Sequence, residues 1–346
     1  MADPLTPGPP ASEKVGSATP SPPPARTRPP WRTARSVAAR AGALLLKRAV
    51  LLAALLALVF VTVELLPGDA AATTAERGEG PAGLARRRAL LGLDRPLVER
   101  FADWMTGLPT GDLGTSARGE PVTGLLAGAF PSTLLLGGLA LLLTALLSLA
   151  LGCWAALRPG RALDRTVSGA ATAVLALPEF VVAVALVLVL SLWTGLLPAT
   201  TVTGADGSPT SWRMLVLPVL ALTVPQTGWN IRIVRAALAD EARAPHVETA
   251  VLDGLSPHRV LLRHVLPGAL PAIATGLATS AGMLLGGAVV VETVFNHPGI
   301  GAVLASAAGD RDGPVVAGVT ALAGTVITAV LLLADLTGDL MAGDRR

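Results

Sequence analysis

From Ala49 to Val63 the chain runs AVLLAALLALVFVTV, 15 residues without a single charge. A helix that is apolar on every side cannot sit half in water; it must be buried in protein or in lipid. The pattern recurs at about Thr133 to Leu157, Val167 to Leu196 (broken by Glu179), Met214 to Ile231, Leu270 to Val291 and Pro314 to Ala334. At 1.5 Å per residue these runs, the first taken with its flanks over residues 44–66, can cross a hydrocarbon core of about 30 Å. In lipid every backbone N–H and C=O needs a partner within the chain, so these runs must be helices. The expected fold class is an all-α polytopic membrane protein with six transmembrane helices. Composition agrees: 15% of the residues are charged, against about 25% in a soluble domain.

The polar segments order the rest. Residues 1–43, rich in Pro, Ser, Ala and Arg as in SPPPARTRPP, read as a disordered cytoplasmic tail. Residues 44–66 form the first span. Its basic start and the small residues near Ala70 also suit a cleaved secretory signal. The long basic lead-in and Glu64 ahead of any cleavage site favour a retained span. Residues 67–132 are mixed in character, form a small extracytoplasmic region and should hold a helix from Pro96 to Met105. Residues 133–340 carry the other five spans, with a cytoplasmic loop at about 239–268. Arginines gather before span one, after spans two and four, and at Arg345 and Arg346. The positive-inside rule therefore places both termini in the cytoplasm.

The polar loop has readable local structure. Pro245 suits a first helical turn, His246 to Asp253 make two turns, and Gly254 supplies a left-handed C′ residue. Ser256 and Pro257 restart a helix as N-cap and first-turn proline, and that helix, His258 to Leu266, should stop at Pro267. The apolar positions Val247, Ala250 and Val251 have no lipid to meet, so this face is expected to dock on a protein.

Here the sequence resembles a known family. Glu248-Thr249-Ala250, Gly254 and then Leu266-Pro267 look like the EAA loop of ABC importer permeases. LLPGD at Leu65 to Asp69, LGLDRPL at Leu91 to Leu97, GDLGTS at Gly111 to Ser116 and GGAVVVETVFNHPGIG at Gly286 to Gly301 look like the dipeptide/oligopeptide/nickel permeases, first-subunit type. The resemblance spans roughly residues 45–340. It implies a type I ABC importer permease fold in a bacterial inner membrane. It also implies that Pro245, Glu248, Thr249, Ala250, Asp253, Gly254, Leu255 and Ser256 couple to an ATPase, with Pro267 at the junction to span five. The implied partners are two ATP-binding cassette ATPases, a second homologous permease, an extracytoplasmic solute-binding protein and membrane lipid. ATP and Mg²⁺ would sit on the ATPases, and this chain would bind no cofactor. Asp253 and Glu248 stand where the family commonly has basic residues, so the charges facing them on the partner should differ.

Absences divide the labour. No Gly-x-x-x-x-Gly-Lys-Ser/Thr occurs, and neither lysine, Lys14 nor Lys47, follows a glycine, so a phosphate-cradling loop is missing. The four histidines form no His-Glu-x-x-His, the single Cys153 cannot form an internal disulfide, and a net charge of +3 does not suggest a nucleic-acid partner.

Single residues carry weaker signals. A carboxylate inside a span, such as Glu179, should face the bundle interior or a wet path. It either lines the translocation path or pairs with a neighbouring helix. Gln226 and Asn230, four apart on one helix face, suit inter-helix hydrogen bonds or solute contact. Glu64, Glu292 and Asp335 should reach the membrane interface without a role, and Arg232 and Arg235 should anchor span four. His258, Arg259, Arg263 and His264 read as a solvated or headgroup-facing side, and Gly286-Gly287 as close helix packing. Region 67–132 should cap the outer mouth and touch a binding protein. The resulting expectation is a permease subunit working by alternating access without its own ATPase site. A secondary transporter or channel is the alternative, but it would need inverted repeats or charge-rich broken helices that are not evident.

Overall fold

The computed structural model describes residues 30–65, 70–75, 80–157, 160–204, 207 and 209–343, with side chains described between 42 and 334. Residues 1–29 of the expected tail and the side chain of Asp335 lie outside that set. Helices are α1 (Pro30–Leu65), α2 (Ala70–Thr73), α3 (Pro81–Leu90), α4 (Leu97–Gly107), α5 (Val122–Ala156), α6 (Ala162–Leu175) and α7 (Glu179–Leu186). They continue as α8 (Arg213–Glu241), α9 (Pro245–Leu252), α10 (Pro257–Val260), α11 (Leu266–Val294), α12 (Ile300–Asp310) and α13 (Gly313–Gly343). Among the described residues there is no strand, only two isolated bridges.

Among the described residues five helices are long and apolar enough to cross a membrane, and the count reaches six if a bent pair is one span. That pair is α6 with α7 and its π-helical extension Val187–Trp193, bent by 102°. The sequence run from Val167 to Leu196 is therefore an elbow, not a straight span. Its corner, Ala176 to Pro178, follows from the proline, which forces the preceding residue away from helical geometry. Two boundaries also move. Helix α1 starts at Pro30, inside the stretch read as disordered, because Ala and Arg between 32 and 43 are good helix formers. Helix α5 starts at Val122, not Thr133, and its 35 residues reach about 52 Å, well beyond the hydrocarbon.

Helix α8 is the axis of the bundle. Of its apolar window 67% is buried, against 22% for α5. This burial explains its low mean hydropathy of 1.3: Thr223, Gln226, Thr227 and Asn230 are hidden from lipid by neighbouring helices. Small residues permit the close approach. Buried positions on α5 run Thr133, Leu136, Ala140, Thr144, Ser148, Gly152 and Ala155, a stripe of mostly small side chains at helical spacing. A Cβ at Gly152 would collide with Val234 of α8.

The segment between α1 and α5 packs back as a cap. Trp104 of α4 sits with Leu56 and Phe60 of α1 and Ala317 and Ala321 of α13. Its indole N–H donates to the Leu113 carbonyl at 3.0 Å. The Arg100 guanidinium donates to both Glu64 oxygens, at 3.2 and 2.6 Å, so Glu64 is an ion-pair partner and not an idle interface residue. At the α12–α13 corner the buried Asp312 carboxylate accepts from the Ala117 amide at 2.6 Å and the Val315 amide at 3.3 Å. Burial pushes this carboxyl above the usual range, although both amides pull the other way. A raised folded value means the unfolded chain releases its proton first, so this contribution is present at low pH and lost as pH rises through the folded value. Asp312→Asn is expected to flatten that loss in thermal unfolding scans from about pH 4 to about pH 8.

Candidate functional site

Helix α9, its corner and α10 form a projecting unit between α8 and α11. Pro245 occupies the first turn of α9, and Ala244 is the extended N-cap. At the other end the Gly254 amide bonds to the Val251 carbonyl at 3.0 Å, and the Leu255 amide to the Ala250 carbonyl at 3.3 Å. With Gly254 at φ +76°, this is a Schellman closure, which satisfies the last carbonyls and turns the chain sharply. Ser256 then adopts an extended N-cap conformation without a side-chain cap bond, and Pro257 opens α10.

The second helix does not stop at Pro267, as local signals suggested. It passes through a π turn, Leu261–Val265, directly into α11, giving one helical rod Pro257–Val294. A proline inside an α-helix removes one hydrogen bond and crowds the preceding turn, and the wider π turn just before Pro267 gives it room. The corner is therefore fused to a spanning helix without a flexible joint.

The two faces of α9 differ from expectation in a way that matters. Val247 and Ala250, expected to meet a partner, are buried against Val260, Leu261 and Val265 of the chain's own rod and Val234 and Leu238 of α8. The apolar residues left outside are Val251, 58% exposed, and Leu252, 80% exposed. Around them Glu248, Thr249, Asp253 and Ser256 are exposed and Leu255 half-buried. The Thr249 hydroxyl is used locally, donating to the Pro245 carbonyl at 3.1 Å. His246 stands at the base, with Nε2 at 3.1 Å from the His264 carbonyl and 3.7 Å from the Glu241 carboxylate. Nearby, Arg235 of α8 pairs with Asp164 of α6 at 2.7 Å, which gives Arg235 a tie between helices beyond any anchoring to lipid.

A polar track runs along α8 deeper in the bundle. Asn230, 1% exposed, donates to the Gln226 carbonyl at 2.8 Å and to the Ser280 hydroxyl of α11 at 2.6 Å. It joins α8 to α11. Gln226 is 2% exposed, its side chain lies beside Glu179, and its Oε1 has no hydrogen-bond partner. Glu179 is half-buried in the first turn of α7, where the helix dipole favours a carboxylate. It lies over Gly287, where a Cβ would collide with its carboxyl, whereas the space at Gly286 is open. The structure thus brings Glu179, Gln226 and Asn230 into one neighbourhood, and the residues of the α9 corner into another.

One buried group was missed by sequence reasoning. Glu292, expected at the interface, is 0% exposed. The Thr133 hydroxyl donates to its Oε1 at 2.6 Å, and the Gly301 and Ala302 amides at the start of α12 donate to its Oε2 at 2.7 and 3.3 Å. Thr133 in turn accepts from the Ile300 amide at 2.9 Å. The carboxylate caps α12 and pins it to α5 and α11. An acid inside an uncharged run, followed by a Gly-Ile-Gly helix start, was the available signal.

Comparison with known proteins agrees with this architecture. The family model described as "binding-protein-dependent transport system inner membrane component" matches residues 148–343. A probable peptide ABC transporter permease of Sinorhizobium fredii is 32% identical over 301 residues, covering 85% of this chain and 96% of that protein. A putative peptide transport system permease of Brucella abortus is 32% identical, covering 81% and 90%. A glutathione transport system permease of Pectobacterium atrosepticum is 34% identical, covering 81% and 89%. Six apolar stretches, a rigid corner built on the span-five helix and this similarity over most of its length converge: the chain belongs to the family of binding-protein-dependent transport system inner-membrane components, the permease subunits of ABC importers.

Proposed function

We infer that this chain forms one half of the translocation pathway for peptides or a related small solute, and that the α9 corner is where an ATPase subunit grips it. The observation that supports this most is the two-sidedness of α9. Its inner face is sealed on the chain's own helices, while Val251 and Leu252 stand in the open on a corner fused to a spanning rod. An apolar pair so exposed on a short rigid helix is the kind of anchor that fills a partner's groove. The chain also has no phosphate-cradling motif of its own. Two ATP-binding cassette subunits would supply ATP hydrolysis, with ATP and Mg²⁺ held on them. A second homologous permease would complete the pathway, and an extracytoplasmic binding protein would deliver solute. Both termini and the corner then lie in the cytoplasm.

Within this mechanism Pro245 and Gly254 set the shape of the corner. Leu252, with Glu248, Thr249, Asp253 and Ser256 around it, would meet the ATPase. Ala250 and Leu255 brace it from behind, and Pro267 marks where the rod enters the membrane. Closure of the ATPases would push the corner, and the rod would carry that push into α11. Glu179, backed by Gln226 and Asn230, would face the solute path. The substrate class follows the relatives' names, two for peptides and one for glutathione. The test is co-purification of the ATPase subunits with Leu252→Asp. Losing about 2 kcal/mol of apolar burial, and burying a charge besides, should weaken capture at least about 30-fold while leaving the chain's thermal stability unchanged. Undiminished capture would end the assignment.

A further inference from the structure

The rod that leaves the α9 corner carries an unpaired basic patch at its start. Arg259 and Arg263, four residues apart on one helix face, are both exposed. Neither makes an ion pair or a side-chain hydrogen bond among the described residues. Helix stability does not account for them. The rod begins at Pro257, and its first turn holds no acid. Cations at that end oppose the positive pole of the helix dipole, and like charges four apart repel each other. An anion bound between them relieves both.

Position decides which anion. From Val265 to Val291 the rod carries no charge, a rise of about 40 Å. That is about the hydrocarbon core plus most of its two headgroup layers, so the arginines stand where the rod enters one of those layers. Leu262, between them in sequence, is 57% exposed, and Leu270 further along is 40% exposed. A second element marks the same level. The end of α5, through Cys153, Ala156 and Leu157, packs on the cluster that holds Val260, Leu261 and Val265 of the rod. Trp154 in that stretch is 51% exposed, and exposed tryptophan favours the headgroup layer. We propose that Arg259 and Arg263 bind the headgroup phosphate of an anionic phospholipid, with Leu262 beside it. The guanidinium fork fits a phosphate with two parallel hydrogen bonds. A zwitterionic headgroup brings a cation of its own, which the two arginines repel, so lipids of net negative charge are selected. An ATPase is the other occupant a basic patch this close to α9 suggests; exposed Leu262 and the level of Trp154 favour lipid.

The test places a photo-reactive amino acid at Leu262 in the full importer, held in nanodiscs of phosphatidylcholine with a minor share of phosphatidylglycerol. After illumination, mass spectrometry identifies what is attached. Phospholipid adducts are expected, with phosphatidylglycerol over-represented about 5- to 30-fold relative to its share, since each arginine near a membrane surface contributes about fivefold. Arg259→Gln and Arg263→Gln together should return phosphatidylglycerol to its share while total lipid capture stays the same. The Arg259→Lys, Arg263→Lys pair keeps both charges and should keep most of the preference. Capture of phosphatidylglycerol in proportion to its share with both arginines in place overturns the proposal, whatever the variants do. An ATPase adduct in place of lipid overturns it as well. The same chain alone in nanodiscs gives the lipid readout, and Leu252 reads ATPase capture separately, so either reading can fail while the other stands.

Discussion

Replacing Gly254 by valine is expected to uncouple the transporter. The residue sits at φ +76°, and nothing lies within 4 Å of where its Cβ would be. The effect is therefore one of backbone strain and not of collision. A β-branched residue in the left-handed region is disfavoured by about 2 kcal/mol, which shifts a two-state corner about 30-fold. Opening the corner breaks the two closing bonds from Gly254 and Leu255 and swings Leu252 away from its position. ATP hydrolysis stimulated by the binding protein, measured on the reconstituted importer, should fall at least about tenfold. Asparagine tolerates the left-handed region, so Gly254→Asn should keep most of the activity. If valine and asparagine behave alike, the corner's shape is not what couples.

The second large effect is on stability. Glu292→Ala removes the shared acceptor of Thr133, Gly301 and Ala302 and leaves a void among α5, α11 and α12. Unsatisfied buried donors and a lost side chain together should destabilise the chain by about 3–5 kcal/mol. Glu292→Gln keeps the volume and one oxygen and should cost about 1–2 kcal/mol. Thr133→Val should fall between them, and the Glu292→Ala, Thr133→Val double variant should lose less than the sum, because the residues share partners. Thermal unfolding of the purified chain in detergent reads all four.

Much of this architecture is visible in the residues themselves. Uncharged length marks the spans, because lipid leaves the backbone no other option. The Gly254 corner is visible because one glycine between two proline-started helices has few other geometries. What stayed hidden depends on distant partners. The apolar spacing of Val247 and Ala250 says that this face is covered but not by what, and the cover is Val260, Leu261 and Val265 beyond the corner. Glu292 looked idle because Thr133 lies 159 positions away. The elbow at Pro178 was legible as a break and not as a 102° turn, since a proline ends a helix without fixing the direction of the next. The π turn before Pro267 has no sequence signature of its own, so a stop was expected where the rod runs on.

The central claim, that the outer face of α9 is the grip for an ATPase, is tested most directly by contact. A photo-reactive amino acid placed at Leu252 in the full importer should cross-link to an ATPase subunit on illumination. The same group at Leu262, 57% exposed on the rod beyond the corner, should give little or no such product. Cross-linking from Leu262 with none from Leu252 would contradict the account.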